Sequence, residues 1–315
     1  MGILPRYWDD PSIFRLNEKA DTAYLIPYST AKAAAANQRE NSAYFTLLND
    51  NWKFRYLPSV HQVTEPFFQT DFEVSGWDEI PVPGMWQTNG YDRCQYLTSP
   101  YPFIFDPPHV PEQNPAGLYV YDFDFKPTAG KRYEIVFEGV DSCLYLWLNG
   151  EFVGYGQVSH NQSAFDITDR LVSGKNRLAA AVLKWCDGSY LEDQDKIRMS
   201  GIFRDVYILE REEACLTDLF FRKSLASDRS AATLTCEMTF RGPQTVELML
   251  LAPSGAPLAT RKAEVEGEKT FRFKVTEPML RFYDAECNFI SEPGEFTLST
   301  GCADNLILTQ KFELK

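Results

Sequence analysis

The sequence predicts an all-β protein, a jelly-roll β-sandwich followed by an immunoglobulin/fibronectin-like β-sandwich. Short runs in which apolar and polar residues alternate recur along most of the chain, and no long segment has helical periodicity. Aromatic residues, which favour strands, make up 14% of the 315 residues. Turn-forming residues separate the runs at short intervals, a spacing typical of sandwich folds.

The first 44 residues are predicted to be an irregular arm, and residues 45–211 the jelly-roll domain. Within the arm, the alanine-rich stretch 31–36 is long enough for one or two helical turns. Residues 76–117 contain many prolines and glycines, which predicts ordered loops because proline cannot donate to a ladder. Asn149 and Gly150 lie between two apolar runs and predict a tight hairpin, because both residues tolerate positive φ.

A charged break at residues 210–213 is predicted to end the first domain, and residues 212–315 are predicted to form the second. Strands are expected at about 216–222, 231–240, 245–252, 257–265 and 269–275, and then at 296–300 and 305–313. A hundred residues of short strands with regular turns favour an immunoglobulin-like sandwich.

The charge balance and the cysteines narrow the class of protein. With 31 basic and 44 acidic residues, the net charge is −13, which disfavours binding to nucleic acid or to a membrane surface. The N-terminus has no apolar core of a signal peptide, and no run is long enough to span a membrane. The seven cysteines form no Cys-x-x-Cys pair, so we expect reduced thiols and a cytoplasmic location.

Several common catalytic patterns are missing from the sequence. The three histidines lie far apart, and no phosphate-binding loop, nucleophile elbow or zinc-protease motif is found. Adjacent acidic residues, such as Glu192 with Asp193 and Glu212 with Glu213, are interpreted as solvated loop charges. The residues alone therefore do not identify an active site.

Several longer motifs resemble the sugar-binding domain of family 2 glycoside hydrolases, a galactose-binding-like jelly roll. They are residues 83–92 (PGMWQTNGYD), 114–119 (NPAGLY), 148–157 (LNGEFVGYGQ), 165–168 (FDIT) and 174–178 (GKNRL). Residues 187–195 (DGSYLEDQD) and 198–206 (RMSGIFRDV) are similar to the large bacterial β-galactosidases. The resemblance extends from residue 6 to about residue 275.

This resemblance implies roles for five residues. Asp195 matches an aspartate that contacts galactosyl hydroxyls and helps to hold a sodium ion, both suited to a carboxylate; alternatively it is a solvated loop acid. Gln157, Asp187 and Asp10 match residues near a structural magnesium site; alternatively they are ordinary turn residues. Thr98 stands where the family usually has a substrate-contacting asparagine, and its hydroxyl offers fewer hydrogen bonds than an amide.

In family 2 enzymes the two sandwiches precede a barrel that carries two catalytic glutamates. Such a barrel takes roughly 250 residues, and only 40 residues follow residue 275, so we expect no catalytic residues in this chain. Residues 280–308 are similar instead to the fibronectin-type terminal domain of family 3 β-glucosidases. We interpret this tail as a fusion that closes the second sandwich.

The leading hypothesis is therefore the non-catalytic N-terminal portion of a β-galactosidase-like enzyme, inactive alone, with magnesium and sodium as implied ions. The alternatives are a stand-alone carbohydrate-binding module with aromatic-rich loops at Trp86, Tyr91, Tyr96 and Tyr101, or a protein that docks a separate catalytic barrel. The expected partners are a β-galactoside, that barrel or a second copy of the chain.

Overall fold

The computed structural model describes residues 2–96, 102–192, 194–227, 231–251 and 256–276, and thereafter residue 279 and the strand segments 282–283, 289–290, 294–302 and 307–314. Side chains are described as far as residue 279. The chain divides into two compact units. The jelly-roll unit comprises residues 1–20 and 46–210, and the bent-hairpin unit comprises residues 21–45 and 211–315.

The larger sheet of the jelly-roll unit has seven strands in the order β1-β10-β9-β12-β6-β3-β4. In chain order these are β1 (Arg15–Leu16), β3 (Asp50–Leu57), β4 (Asp78–Val82), β6 (Ala116–Phe125), β9 (Cys143–Leu148), β10 (Glu151–Gln157) and β12 (Gly174–Leu183). All of their pairings are antiparallel. β4, which contains Pro81, forms an edge of the sheet, where a missing donor costs least.

The facing sheet has the order β11-β7-β15-β2. Its strands are β2 (Phe45–Leu47), β7 (Lys131–Phe137), β11 (Ser163–Asp166) and β15 (Val206–Glu212). Two short ladders join the loops: β5 (Gln95–Tyr96) with β13 (Ile197–Arg198), and β8 (Val140–Asp141) with β14 (Gly201–Ile202). Short 3-10 helices occur at Arg39–Asn41, Val60–Gln62, Gln87–Asn89 and Asp187–Tyr190.

The larger sheet is buried on both faces. One face forms a core with the facing sheet, in which Trp52 and Phe54 have no exposed surface. The other face is covered by the arm and the loops, which contribute Trp8, Phe67 and Trp185. Every residue of β9 is buried, which explains why its sequence, CLYLWL, is continuously apolar instead of alternating.

The predicted hairpin at Asn149 and Gly150 joins β9 to β10. Both residues have positive φ, 54° and 84°, the conformation that favours Asn-Gly in a two-residue turn. The Asn149 side chain also donates to the Arg170 carbonyl and to the Asn176 amide oxygen, at 2.8 and 2.9 Å. The turn is therefore fixed by side-chain hydrogen bonds as well as by its backbone conformation.

The bent-hairpin unit is built mainly from two very long strands. β16 (Cys215–Leu225), β17 (Ala231–Leu251), β18 (Pro257–Thr276), β21 (Gly294–Cys302) and β22 (Ile307–Leu314) form its five-stranded sheet, with β17 pairing β18 throughout. The pair β19 (Phe282–Tyr283) and β20 (Phe289–Ile290) forms a separate ladder. The separate strands predicted at 231–240 and 245–252 are one strand here, and so are those at 257–265 and 269–275.

A bend in this hairpin produces the two layers of a sandwich. The register shifts between Phe240 and Gln244, and Gly242 and Gly267 have φ of 67° and 66°. The Arg261 guanidinium lies 5.4 Å from the Phe273 ring centroid, although twelve residues of straight strand span about 40 Å. The two halves therefore face each other, and one core contains Leu234, Cys236, Met238, Phe240, Val246, Leu248, Leu250, Phe271 and Phe273.

The predicted arm is divided between the two units. The helix α1 (Ala31–Ala36) forms as expected, with Thr30 capping Ala33 and Asn37 in the left-handed conformation. Residues 21–45 belong to the bent-hairpin unit, whose core includes Leu25. Within the part of the chain that is described, no helix is long and apolar enough to cross a membrane. The prediction of an all-β sandwich fold is confirmed.

Candidate functional site

Asp195 lies at the surface of the jelly-roll unit, in the loop between residues 190 and 197. The two-residue ladder of β5 and β13 places Ile197 opposite Tyr96. The Tyr96 hydroxyl donates a hydrogen bond to Asp195 Oδ1 at 2.7 Å, which raises the pKa of Tyr96 above its usual value of 10.0. Asp195 itself is exposed, so its carboxylate can accept further hydrogen bonds from a ligand.

Thr98, the residue predicted to replace a substrate-contacting asparagine, lies outside the described residues, as do its neighbours 97 and 99–101. In the chain it follows by two positions Tyr96, the residue that donates a hydrogen bond to Asp195.

Gln157 and Asp187 come together although thirty residues separate them. The Gln157 side chain hydrogen-bonds to the Asp187 carboxyl, and Gln157 Oε1 is buried without a hydrogen-bond partner. Two backbone bonds tie the N-terminal arm to this pair: Asp187 N donates to Trp8 O at 2.6 Å, and Gln157 N donates to Phe14 O at 3.2 Å. The arm thus crosses the site between these two carbonyls.

Asp10 lies on this arm, and its described hydrogen bonds are local. Its carboxylate accepts from the Ser12 backbone and hydroxyl at 3.0 and 2.6 Å, which lowers its pKa. The neighbouring Asp9, whose side chain is 8% exposed, pairs with Arg6 and acts electrostatically on Asp187. Among the described residues, no three His, Cys, Asp or Glu side chains form a metal-binding group.

Burial raises the pKa of Asp187 above its ordinary value of 3.8, the hydrogen bond with Gln157 opposes that shift, and the charge of Asp9 adds to it. Two carboxylates and a buried amide oxygen without a donor therefore share this region. Asp9 is already paired with Arg6, so the acceptor in this region that lacks a partner among the described residues is the buried Gln157 Oε1.

Two of the loop residues proposed as aromatic binding surfaces are wholly or partly buried. Trp86 is fully buried and its indole donates to the Tyr119 hydroxyl at 2.6 Å, because its ring fills the core between the sheets. Tyr91 is half-buried and donates to Asp78. Tyr96 is 61% exposed, and Tyr101 lies outside the described residues.

The sequence interpretation missed the residues that hold the Asp195 loop. Glu192, interpreted as a solvated acid, accepts hydrogen bonds from the Ser159 backbone at 2.9 Å and from its hydroxyl at 2.6 Å. Lys196 pairs with Asp141 at 3.1 Å. These partners are 33 and 55 residues apart, and no local pattern in the sequence indicates them.

The comparisons with known proteins all indicate one family. The model of the sugar binding domain of glycosyl hydrolases family 2 matches residues 45–212. The β-galactosidase of Actinobacillus pleuropneumoniae is 49% identical over 254 residues, which cover 80% of this chain and 25% of the relative. That of Vibrio vulnificus is 38% identical over 259 residues, covering 81% and 24%. The chain thus spans about a quarter of the length of these relatives.

Solved structures with the same architecture are more distant in sequence. A β-glycosidase from Bacteroides vulgatus has a TM-score of 0.60 and 21% identity, with coverage of 86% of this chain and 33% of the other. A β-glucuronidase from Bacteroides uniformis has a TM-score of 0.61 and 19% identity, with coverage of 85% and 32%. These likenesses establish the fold. With the domain match over more than half of its residues, the chain belongs to glycosyl hydrolase family 2.

Proposed function

We propose that this chain is the non-catalytic, sugar-binding portion of a β-galactosidase, and that the complete enzyme hydrolyses terminal β-D-galactosides. The observation that carries the proposal is the similarity to two β-galactosidases over four fifths of the chain. Hydrolysis needs an acid/base and a second carboxylate on either side of the glycosidic bond. The remaining three quarters of such an enzyme would supply both, so the chain alone is expected to be inactive.

In this proposal Asp195 binds the sugar. One of its oxygens accepts from Tyr96, which fixes the carboxylate and leaves it able to accept from galactosyl hydroxyls or to bind a hard cation such as sodium. Thr98, two residues after Tyr96 in the chain, would add a hydroxyl contact. The intact enzyme is expected to act in the cytoplasm.

The residues around Gln157 fit a magnesium ion. The supporting observation is the buried Gln157 Oε1, which has no donor among the described residues, beside the Asp187 carboxyl. Oxygen donors are the ligands that magnesium prefers. Asp10, on the same arm, would complete the set through its carboxylate. When bound, the ion would supply positive charge that fixes the arm against the jelly roll.

A chimaera tests the proposal directly. Residues 6–275 of this chain would replace the corresponding segment of the Actinobacillus pleuropneumoniae β-galactosidase, and hydrolysis of nitrophenyl β-galactoside would be measured. We expect an active chimaera in which Asp195→Asn lowers kcat/KM by about a hundredfold, as for a hydrogen bond that favours the transition state. The matched control Asp124→Asn, an exposed aspartate on β6, should leave kcat/KM unchanged. An active chimaera indifferent to Asp195→Asn would refute the assignment.

An exposed apolar patch on the jelly-roll unit also favours docking of the catalytic part. The side chains of Ile104, Phe105 and Leu191 are 87%, 62% and 89% exposed. All three adjoin Tyr190: the Phe105 ring packs edge-on against the Tyr190 ring, the Tyr190 hydroxyl donates to the Ile104 carbonyl, and Leu191 is the next residue in the chain. Exposed apolar patches of this kind mark interaction sites. We assign this patch to the remainder of the enzyme.

Light scattering checks this assignment. The pure chain should self-associate through the patch, and the double substitution Phe105→Ser with Leu191→Ser should make it monomeric. A wild-type chain that remains strictly monomeric at high concentration would count against docking.

A further inference from the structure

The loop that carries Asp195 is not held in place by burial. Asp195 is exposed, and its apolar neighbours Leu191 and Ile197 are themselves 89% and 51% exposed. A surface loop without an apolar anchor is ordinarily mobile, because ordering each residue costs conformational entropy. Polar contacts to the rigid sheets must therefore supply the order that a binding carboxylate needs.

The first of these contacts joins Lys196, the residue after Asp195, to Asp141. The two side chains are 21% and 15% exposed, and Lys196 Nζ lies 3.1 Å from Asp141 Oδ2. Asp141 belongs to β8, which pairs with β14 through Gly201. The next residue, Ser142, donates both its amide and its hydroxyl to the Leu183 carbonyl at the end of β12. Asp141 is therefore fixed to the framework.

The second contact holds the other end of the loop. Glu192 accepts two hydrogen bonds from Ser159, which follows β10, at 2.9 and 2.6 Å. The Ser159 hydroxyl also lies 3.0 Å from His160 Nδ1. Glu192 and Lys196, which lie on either side of Asp195 in the chain, are thus each tied to the jelly roll.

The charges make these contacts interdependent. Burial raises the pKa of Asp141, Lys196 opposes that shift, the charge of Glu192 adds to it and His160 acts against it. Lys196 is therefore a cation that favours the charged form of the Asp141 carboxyl beside the charge of Glu192. Removing it would take away this compensation and would release the loop.

We propose that Lys196 and Asp141 are positioning residues, whose ion pair fixes the loop so that the Asp195 carboxylate stays beside Tyr96 in a geometry ready for a sugar hydroxyl or a cation. The inference rests on the proposed function of Asp195. Glu192 and Ser159 complete the same tether. Neither Lys196 nor Asp141 is expected to contact the ligand.

Hydrogen exchange on the full 315-residue chain tests the tether. In Lys196→Met, which keeps the aliphatic stem and removes the charge, amides of residues 194–198 should exchange on the order of tenfold to a hundredfold faster, the loss expected for a charged hydrogen bond. Exchange in β6 and β12 should be unchanged. Lys196→Arg should restore slow exchange, because it keeps the cation.

The matched control is Lys19→Met. Lys19 pairs with the buried Glu134 on β7 of the same unit, so its loss removes a comparable ion pair away from the loop and should leave residues 194–198 unaffected. Should Lys196→Met fail to fold, Asp141→Asn removes the same pair from the other side with almost no change in volume.

Three outcomes would overturn the inference: unchanged exchange at 194–198 in the Lys196→Met and Asp141→Asn chains, an equal increase in Lys19→Met, or an Arg variant as mobile as the Met variant. These outcomes are independent of the chimaera assay. A loosened loop together with an active chimaera indifferent to Asp195→Asn would retain the tether and reject the sugar-binding role.

Discussion

The jelly-roll unit and the bent-hairpin unit are both β-sandwiches, yet they are assembled in opposite ways. The jelly-roll unit brings together many short strands from distant parts of the chain and fills both faces of its larger sheet with aromatic side chains. The bent-hairpin unit folds one continuous pair of strands back on itself, with aliphatic residues, cysteine and a few phenylalanines between the halves.

This contrast explains where the candidate site lies. A sheet assembled from distant segments brings loops with unrelated sequences together, so that Lys196 meets Asp141 and Glu192 meets Ser159. A bent hairpin mainly brings neighbouring parts of the sequence together, which favours simple packing over a polar cluster. The jelly-roll unit is therefore the one in which long-range polar contacts can position a ligand-binding residue.

The largest expected effect is the loss of an aromatic side chain from the core of the jelly-roll unit. Trp52 is fully buried, stacks on Tyr121 at 5.1 Å and donates to the Leu48 carbonyl at 3.0 Å. Trp52→Ala should lower the stability of the jelly-roll unit by about 4 kcal/mol, through a large cavity and a lost hydrogen bond. Hydrogen exchange of the β6 and β12 amides measures the loss of stability. The control Trp52→Phe should lower stability less. A loss under about 1 kcal/mol would mean that the aromatic core repacks freely.

The corresponding change in the bent-hairpin unit is Cys236→Ser. Cys236 is fully buried between the halves of the hairpin, and burial raises the pKa of its thiol to about 12. A serine hydroxyl in this apolar core should lower the free energy of unfolding by about 2 kcal/mol. Unfolding in urea measures the loss. Cys236→Ala, which removes the thiol without adding a polar group, should be milder. Equal losses for the two variants would indicate that polarity does not decide the effect.

The bend itself supplies a smaller test. Gly267 has φ of 66° and open space where a side chain would project, so Gly267→Ala should cost about 1 kcal/mol from backbone strain alone. Gly76 also has open space but no positive φ, and Gly76→Ala in the jelly-roll unit should be neutral or slightly stabilising. Thermal unfolding compares the two. Equal changes in Tm would show that the bend does not depend on Gly267.

The smallest effect depends on pH. Burial would raise the pKa of Asp166, but hydrogen bonds from Thr168 and the ion pair with Arg132 bring it below its usual 3.8. The ionised carboxylate therefore stabilises the jelly-roll unit above pH 3.8, and this contribution is lost as the pH falls through the lower pKa of the folded state. The Asp166→Asn variant should be less stable than the wild type at pH 7 and equally stable below the pKa of Asp166 in the folded state. Denaturation measured at a series of pH values checks this. A gap that persists at the lowest pH would contradict the linkage.

Local sequence patterns predicted much of the fold, because turns and alternation act over a few residues. The hairpin at Asn149 and Gly150 and the helix at 31–36 both form where expected. The predicted breaks within residues 231–252 and 257–275 are wrong, because Gly242 and Gly267 interrupt the sequence pattern as a turn would, whereas the chain only bends there. The split of the arm between the two units also could not be read from composition.

The sequence by itself determined the β architecture and the family, because both reside in contiguous motifs. Only the tertiary structure decided which charges meet. Lys196 pairs with Asp141, and Glu192 accepts from Ser159, because the fold brings together segments that are 55 and 33 residues apart in the chain. Such pairs depend on the whole sheet, whereas a motif depends on its immediate neighbours.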